Sequence, residues 1–331
     1  MFAMTRVALA VNALLTPDNY LDIITRTGTG TTVTTTTLTP LNLSGNGGLI
    51  LTKNHTGTNP WSIVDTVRGV SSDLVPSTTA AATTQSTGVT SVSATGYTTG
   101  ALTQRNGSGL AFVDYVMRQG PKFLQIIKRT EPGYAENVNH NLGIQPGFIL
   151  AKSTTLAHGW CCWHRFIEPH QNAGGSSGFS TNSTAAVRYA TYADVTDTFF
   201  NNEIYSWDGS TQTIAYQGGT VVYYVFGHDP SPSGRIQCWG YTGNGSTSGP
   251  VIELGWTPRL LIIKSRSAGN WIVLDTSRGL TSANDAVLNL NLANAQTTSQ
   301  VVDPTPTGFQ IRTTIADLNT ADANYMYIAF R

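Results

Sequence analysis

LLIIKSRSAGNWIVLDT (260–276) reads as two short apolar strands joined by a polar loop, with a lysine ending the first strand and a tryptophan opening the second. Two further stretches share this layout, LILTKNHTGTNPWSIVDT (49–66) and FILAKSTTLAHGWCCWHR (148–165). Their register is held at long range: Lys53, Trp61 and Asp65 each lie 99 positions before Lys152, Trp160 and His164. Leu142, Pro146 and Lys152 likewise each lie 112 positions before Leu254, Pro258 and Lys264. Fixed offsets of this kind mark an internal repeat. Each unit closes on an alternating aromatic strand, FVDYVMR (112–118), VVYYVFG (221–227) and YMYIAFR (325–331). Near the opening of the last two units, Thr130 and Gly133 of RTEPG match Thr242 and Gly245 of YTGNG. The first unit reads as degenerate there, because residues 25–39 hold ten threonines in fifteen, a composition suited to an extended exposed segment.

These runs are short, β-branched or aromatic, and separated by Gly, Asn, Ser and Pro, the pattern of strands and turns. Helical periodicity is scarce outside residues 7–15. Strands apolar on both faces belong in the middle of a sheet covered by a second layer. The expected fold is therefore all-β: three tandem β-sandwich domains, lectin-like or jelly-roll-like, at residues 25–119, 120–229 and 235–331. DPSPSG (229–234) is the clearest linker, and residues 1–24 form a short N-terminal arm. The apolar start MFAMTRVALAVNALL (1–15) faintly resembles a signal peptide but lacks a small-residue cleavage site, so it reads as a retained arm.

Charge excludes several partner classes. Lys and Arg total 19, Asp and Glu total 19, and charged residues make up only 11% of the chain, against about 25% in a typical soluble domain. With no basic block, neither nucleic acid nor an anionic membrane is an expected partner, and no apolar run is long enough for a membrane-spanning helix. Cys161, Cys162 and Cys238 are odd in number and lack ligand spacing, so they read as buried free thiols rather than disulfides or a zinc site.

The repeated positions carry the candidate chemistry. In a hairpin, Lys53 stands across from Trp61, Lys152 from Trp160 and Lys264 from Trp271, allowing a lysine stem over an indole face, worth about 0.5–1 kcal/mol if exposed. The functional alternative is an exposed Trp platform for the apolar face of a sugar ring. Recurrence in all three units favours architecture. Asp65 with Arg68, and Asp275 with Arg278, keep an acid and a base three residues apart and read as turn-fixing ion pairs. The middle unit has His164 and Ile167 at these places, which rules out a catalytic role common to all units. His164, His170, Asp194, Asp197, Glu203 and Asp208 concentrate in the middle unit without HExxH, GxSxG or P-loop spacing, so no enzyme activity, metal or cofactor is expected.

GYTGNGSTSGPVIELGWTPRLLIIKSRSAGNWIVLDTSRG (240–279), PTPTGFQI (304–311) and YMYIAFR (325–331) resemble the repeat of a tandem-repeat family of tailed-bacteriophage virion proteins. NPWSIVDTVRG (59–69) and FVDYVMRQGPKF (112–123) resemble that family's first repeat and its junction. The resemblance implies concanavalin-like sandwiches, no catalytic residues, and a place on the virion surface. Two roles follow as expectations. One is a tail fibre or receptor-binding component that holds host surface polysaccharide. The other is a purely architectural component: a head or neck fibre, a capsid decoration, or a collar or baseplate subunit. Either would join other virion proteins through the N-terminal arm, with a homotrimer expected for a fibre. The middle unit departs most from the pattern, in WCCWHRFIEPH (160–170).

Overall fold

The computed structural model describes residues 20–37, 41–167, 179–187, 194–207, 212–215, 217, 219–281 and 283–331. The apolar start expected to dock as an arm, and His170 and Asp208, lie outside these residues. The fold is all-β, and every strand pairing is antiparallel.

Three inner sheets share one strand order. Opening strands run Leu21–Thr27, Leu124–Thr130 and Ile236–Thr242. Closing strands run Ala111–Arg118, Thr220–Gly227 and Asn324–Phe330. Strands bearing the repeated lysine run Gly48–Asn54, Pro146–Ser153 and Leu260–Ser265. Partner strands follow each tryptophan loop, at Ser62–Asp65, Cys161–His164 and Trp271–Asp275. In each sheet the order is opening, closing, lysine, tryptophan, and Asp285–Asn289 and Thr297–Ser299 extend the third. The first opening strand starts at Leu21, within the stretch read as arm.

The closing strand is hydrogen-bonded on both edges and buried on both faces, which accounts for its unbroken apolar sequence. One set of alternate side chains, Val113, Tyr115 and Met117, Val222, Tyr224 and Phe226, Met326, Ile328 and Phe330, enters a single cluster common to all three sheets. The other set, including Val221, Tyr223 and Val225 or Tyr325, Tyr327 and Ala329, enters separate clusters under the outer strands. In the third segment those outer strands are Val251–Glu253, Val302–Thr305 and Gly308–Ile311; in the first, Val33–Thr36, Val89–Val92 and Gly96–Thr99. Each segment thus has the layered character of a sandwich, and the three inner faces meet in one core. Cys161 and Cys162 point into different clusters on opposite faces of their strand, and all three cysteines are buried and outside any disulfide.

The first segment's opening is not degenerate, contrary to the reading of its threonine run. Thr27 and Gly30 take the places of Thr130 and Gly133 and of Thr242 and Gly245, and the three glycines have φ of 69°, 86° and 67°. This left-handed conformation favours glycine. A buried asparagine ties down the turn in two segments. Asn106 donates to Thr31 O (2.6 Å) and accepts from Thr29 N (2.9 Å), while Asn319 donates to Ser246 O (2.7 Å) and accepts from Asn244 N (2.8 Å).

What sets the first segment apart is its interior. Asp114 accepts hydrogen bonds from Arg26 Nε (2.5 Å), Thr52 (2.5 Å) and Tyr97 (2.6 Å), and Arg105 donates to Thr52 (2.7 Å) and lies 3.8 Å from Asp73. At the matching places the third segment has Tyr327, Tyr241, Ile263, Phe309, Leu318 and Val287, all in its outer cluster. A buried ion network therefore stands where the third segment has a hydrocarbon core.

Candidate functional site

The repeated lysines stand beside their tryptophans as the hairpins require, with Lys264 directly opposite Trp271 and the other two hairpins in the same register. Their chemistry differs from the expected stem-over-indole contact. Lys53, Lys152 and Lys264 are almost fully buried, and their ammonium groups donate to backbone carbonyls. Lys53 Nζ reaches Asn54 O (2.6 Å), Asn59 O (2.7 Å), Gly57 O (3.1 Å) and Ala293 O (3.0 Å). Lys152 Nζ reaches Ser153 O (2.9 Å) and Thr79 O (3.1 Å), and Lys264 Nζ reaches Ser265 O (2.8 Å) and Ser267 O (3.1 Å). Burial pulls each ammonium down to about 8. Each lysine closes its own loop, and two of them also bind a neighbouring segment.

The tryptophans are seam residues too. Trp61, Trp160 and Trp271 are 0%, 0% and 2% exposed, which removes the sugar-platform reading for all three. Trp61 Nε1 donates to Asn289 O of the third segment (2.8 Å), Trp160 Nε1 to Thr78 O of the first (3.1 Å), and Trp271 Nε1 to Ser180 O of the second (2.9 Å). Each indole docks into the preceding segment, and the three contacts close a ring.

The acid–base pairs bind in the opposite direction. Asp65 holds Arg68 (2.5 Å) and Asp275 holds Arg278 (2.6 Å), with the aspartates also accepting from turn N–H groups, as a turn-fixing pair should. Local spacing does not reach the third member. Tyr224 of the second segment donates to Asp65 (2.8 Å) and accepts from Arg68 (3.0 Å), and Tyr115 of the first does the same with Asp275 (2.7 Å) and Arg278 (3.2 Å). Burial raises both phenols well above their ordinary range, so they remain protonated donors. Tyrosines at one register position of two closing strands were the available signal.

At the seam between the second and third segments the whole triad is replaced. His164, Ile167 and Ile328 stand in for Asp, Arg and Tyr. The buried imidazole donates from Nε2 to Tyr327 O (3.0 Å) and accepts at Nδ1 from Phe166 N (3.1 Å). Protonation at Nδ1 would set one N–H against another. Burial first, then Arg165, His228 and Arg266, hold its pKa down to about 3, partly opposed by the Tyr327 carbonyl. The other four described histidines, His55, His140, His158 and His228, are lowered as well, His228 to about 4. A histidine whose folded pKa is depressed contributes stability above its unfolded pKa and loses it as pH falls toward the folded value. Urea midpoints should therefore drop as the pH falls from about 6.5 toward 4, with buried His164 the largest contributor. His164→Gln, which can keep both hydrogen bonds, should remove a clear share of that drop. Identical pH profiles for the two proteins would contradict this account.

The same seam carries an exposed aromatic. Trp239 is 46% exposed, with the Phe166 ring at 5.7 Å, the His228 ring at 6.2 Å and the Arg165 guanidinium 5.2 Å above the indole. Phe166 lies so close to Gly240 that a Cβ there would be 2.1 Å from its ring. Among the described residues no three His, Cys, Asp or Glu side chains gather in metal-binding range, and no helix is long and apolar enough to cross a membrane.

One family model matches residues 16–331, described as a domain of unknown function (DUF7483). No curated protein matches the chain.

Proposed function

The chain belongs to this family of unknown function, and from that premise we propose that it is a non-enzymatic virion protein of a tailed bacteriophage, a tail fibre or receptor-binding component built from three copies of one β-sandwich repeat. The observation that carries the reading is where the repeated polar groups go. Lys53 and Lys152, all three tryptophans and both Asp–Arg–Tyr triads are engaged in seams between segments, while Lys264 closes its own loop. They tie the three segments into a ring and, among the described residues, place the repeated lysines, tryptophans and aspartates in the interior. The family match spans all three segments as one unit, as expected if the segments depend on one another. Head-to-tail contacts that close after three steps are the geometry of a cyclic trimer, here made within a single chain. Such a ring needs no second copy to complete its core, and the N-terminal arm remains for docking to neighbouring virion proteins. Its neutral Ser, Thr and Asn loops suit hydrogen bonding to host surface polysaccharide.

The purified protein is expected to bind host cells and to block infection when added before phage. A cryo-EM map of the virion that placed it on the capsid, away from the tail, would overturn the fibre assignment in favour of an architectural subunit.

A further inference from the structure

We propose that the seam between the second and third segments is a saccharide-binding site, with the Trp239 indole as its platform. The inference rests on the adhesive reading above and gives that reading an address.

Three equivalent seams in one chain provide an internal comparison. Strand registers place Trp239 where the other opening strands have Ile24 and Ile127, and Gly240 where they have Thr25 and Lys128. In the turn that follows the tryptophan-bearing hairpin, Phe166 stands where the other segments have Val67 and Ser277. His228 stands where the first linker has Gln119, and it performs the same backbone task. Gln119 Oε1 accepts from Ile126 N (2.7 Å), and His228 Nδ1 accepts from Cys238 N (3.1 Å).

These differences depend on one another. Only a glycine at position 240 leaves room for the Phe166 ring, and Phe166 in turn walls one side of Trp239. Scaffold requirements do not explain them, because the other two seams close without an aromatic side chain at any of the same places. They convert a half-buried isoleucine position into an indole that is nearly half in solvent. A lone exposed apolar residue marks no site by itself; what distinguishes Trp239 is that its indole is edged by the Phe166 ring, the His228 imidazole and the Arg165 guanidinium.

The polar groups around the indole indicate the ligand class. With Nδ1 taken by Cys238 N–H, the neutral His228 ring carries its proton on Nε2 as a donor. Arg165 lies over the same indole with its guanidinium 5.2 Å from the ring centroid, a cation–π contact that holds the indole in place. A half-exposed indole bordered by the His228 Nε2 donor matches a pyranose ring, whose C–H face stacks on the open part of the indole while a hydroxyl accepts from the imidazole. A peptide side chain would need a pocket, and nucleic acid would need phosphate contacts that this weakly charged chain does not supply elsewhere.

The test restores the other seams' residues. Trp239→Ile and Phe166→Val should fold normally, since Ile and Val already occupy the equivalent places. Wild type and both variants would be applied to an array of purified bacterial surface polysaccharides and, in parallel, to intact host cells. Expected is saccharide binding by wild type and at least ~tenfold weaker binding by Trp239→Ile, with an unchanged thermal midpoint. Equal saccharide binding by wild type and Trp239→Ile would overturn this site and leave the adhesive reading standing. Binding to cells with none to any polysaccharide would overturn the saccharide assignment alone. Binding to neither would overturn both.

Discussion

Trp61→Ala is expected to lower the denaturation midpoint of the whole molecule, at a cost of about 3–5 kcal/mol for the lost indole and the cavity it leaves. A further contribution comes from Asn289 O, which loses the indole N–H at 2.8 Å inside the seam between the first and third segments. Trp61 also stacks near Tyr115, with centroids 6.1 Å apart, and Tyr115 carries the triad contact to Asp275. The substitution therefore loosens two contacts that join the same pair of segments. Because the central core is shared, unfolding should remain a single transition. Trp61→Phe, which keeps most of the apolar volume but loses the donor, should fall in between. The check is urea denaturation followed by both circular dichroism and tyrosine fluorescence. An unchanged midpoint, or a biphasic curve in which only one segment shifts, would contradict a shared core.

Asp114→Ala should be at least as damaging, for an electrostatic reason. The carboxylate is fully buried and is the common acceptor of Arg26, Thr52 and Tyr97. Removing it leaves the Arg26 guanidinium without its anion and Arg105 with Asp73 alone at 3.8 Å, and breaking a buried pair in this way costs about 3–5 kcal/mol. The third segment supplies the control, since it fills the same space with hydrocarbon and phenol. Replacing the network as a set, with Arg26→Tyr, Thr52→Ile, Asp73→Val, Arg105→Leu and Asp114→Tyr, is expected to be far milder than Asp114→Ala alone and close to neutral. Buried ion networks return little net free energy compared with well-packed apolar groups of similar volume. If the combined variant proved less stable than Asp114→Ala, the two segments would not share an interior geometry.

The seams were partly legible in advance. Recurrence marks Lys53, Lys152 and Lys264 and the three tryptophans as shared framework positions, and all six are buried. Asp65 with Arg68 and Asp275 with Arg278 were read as local pairs, and locally they are. Neither reading reached the far partner, because Asn289 lies 228 positions from Trp61 and Tyr224 lies 159 from Asp65. Spacing along a chain reports neighbours on one strand or across one turn. It carries no information on which strand of which segment comes to face it. The T-x-x-G turn at Thr27 to Gly30 was hidden for a different reason: in a run of threonines, every alignment of the motif looks alike.

The sequence alone determined the all-β class, the alternation that buries both faces of each closing strand, the lysine–tryptophan hairpins and the turn-fixing pairs. All of these follow from local periodicity and from repeats, and both are properties of a linear chain. Tertiary structure decided that the three inner faces meet in one core, that the lysines serve carbonyls rather than indoles, and that one aromatic at the odd seam stays in solvent. LLIIKSRSAGNWIVLDT states that its tryptophan is wanted, and only the closed ring states by which neighbour. Burial and partner identity are set by packing between segments far apart in sequence, where the free energy depends on surfaces that do not exist until the chain has folded.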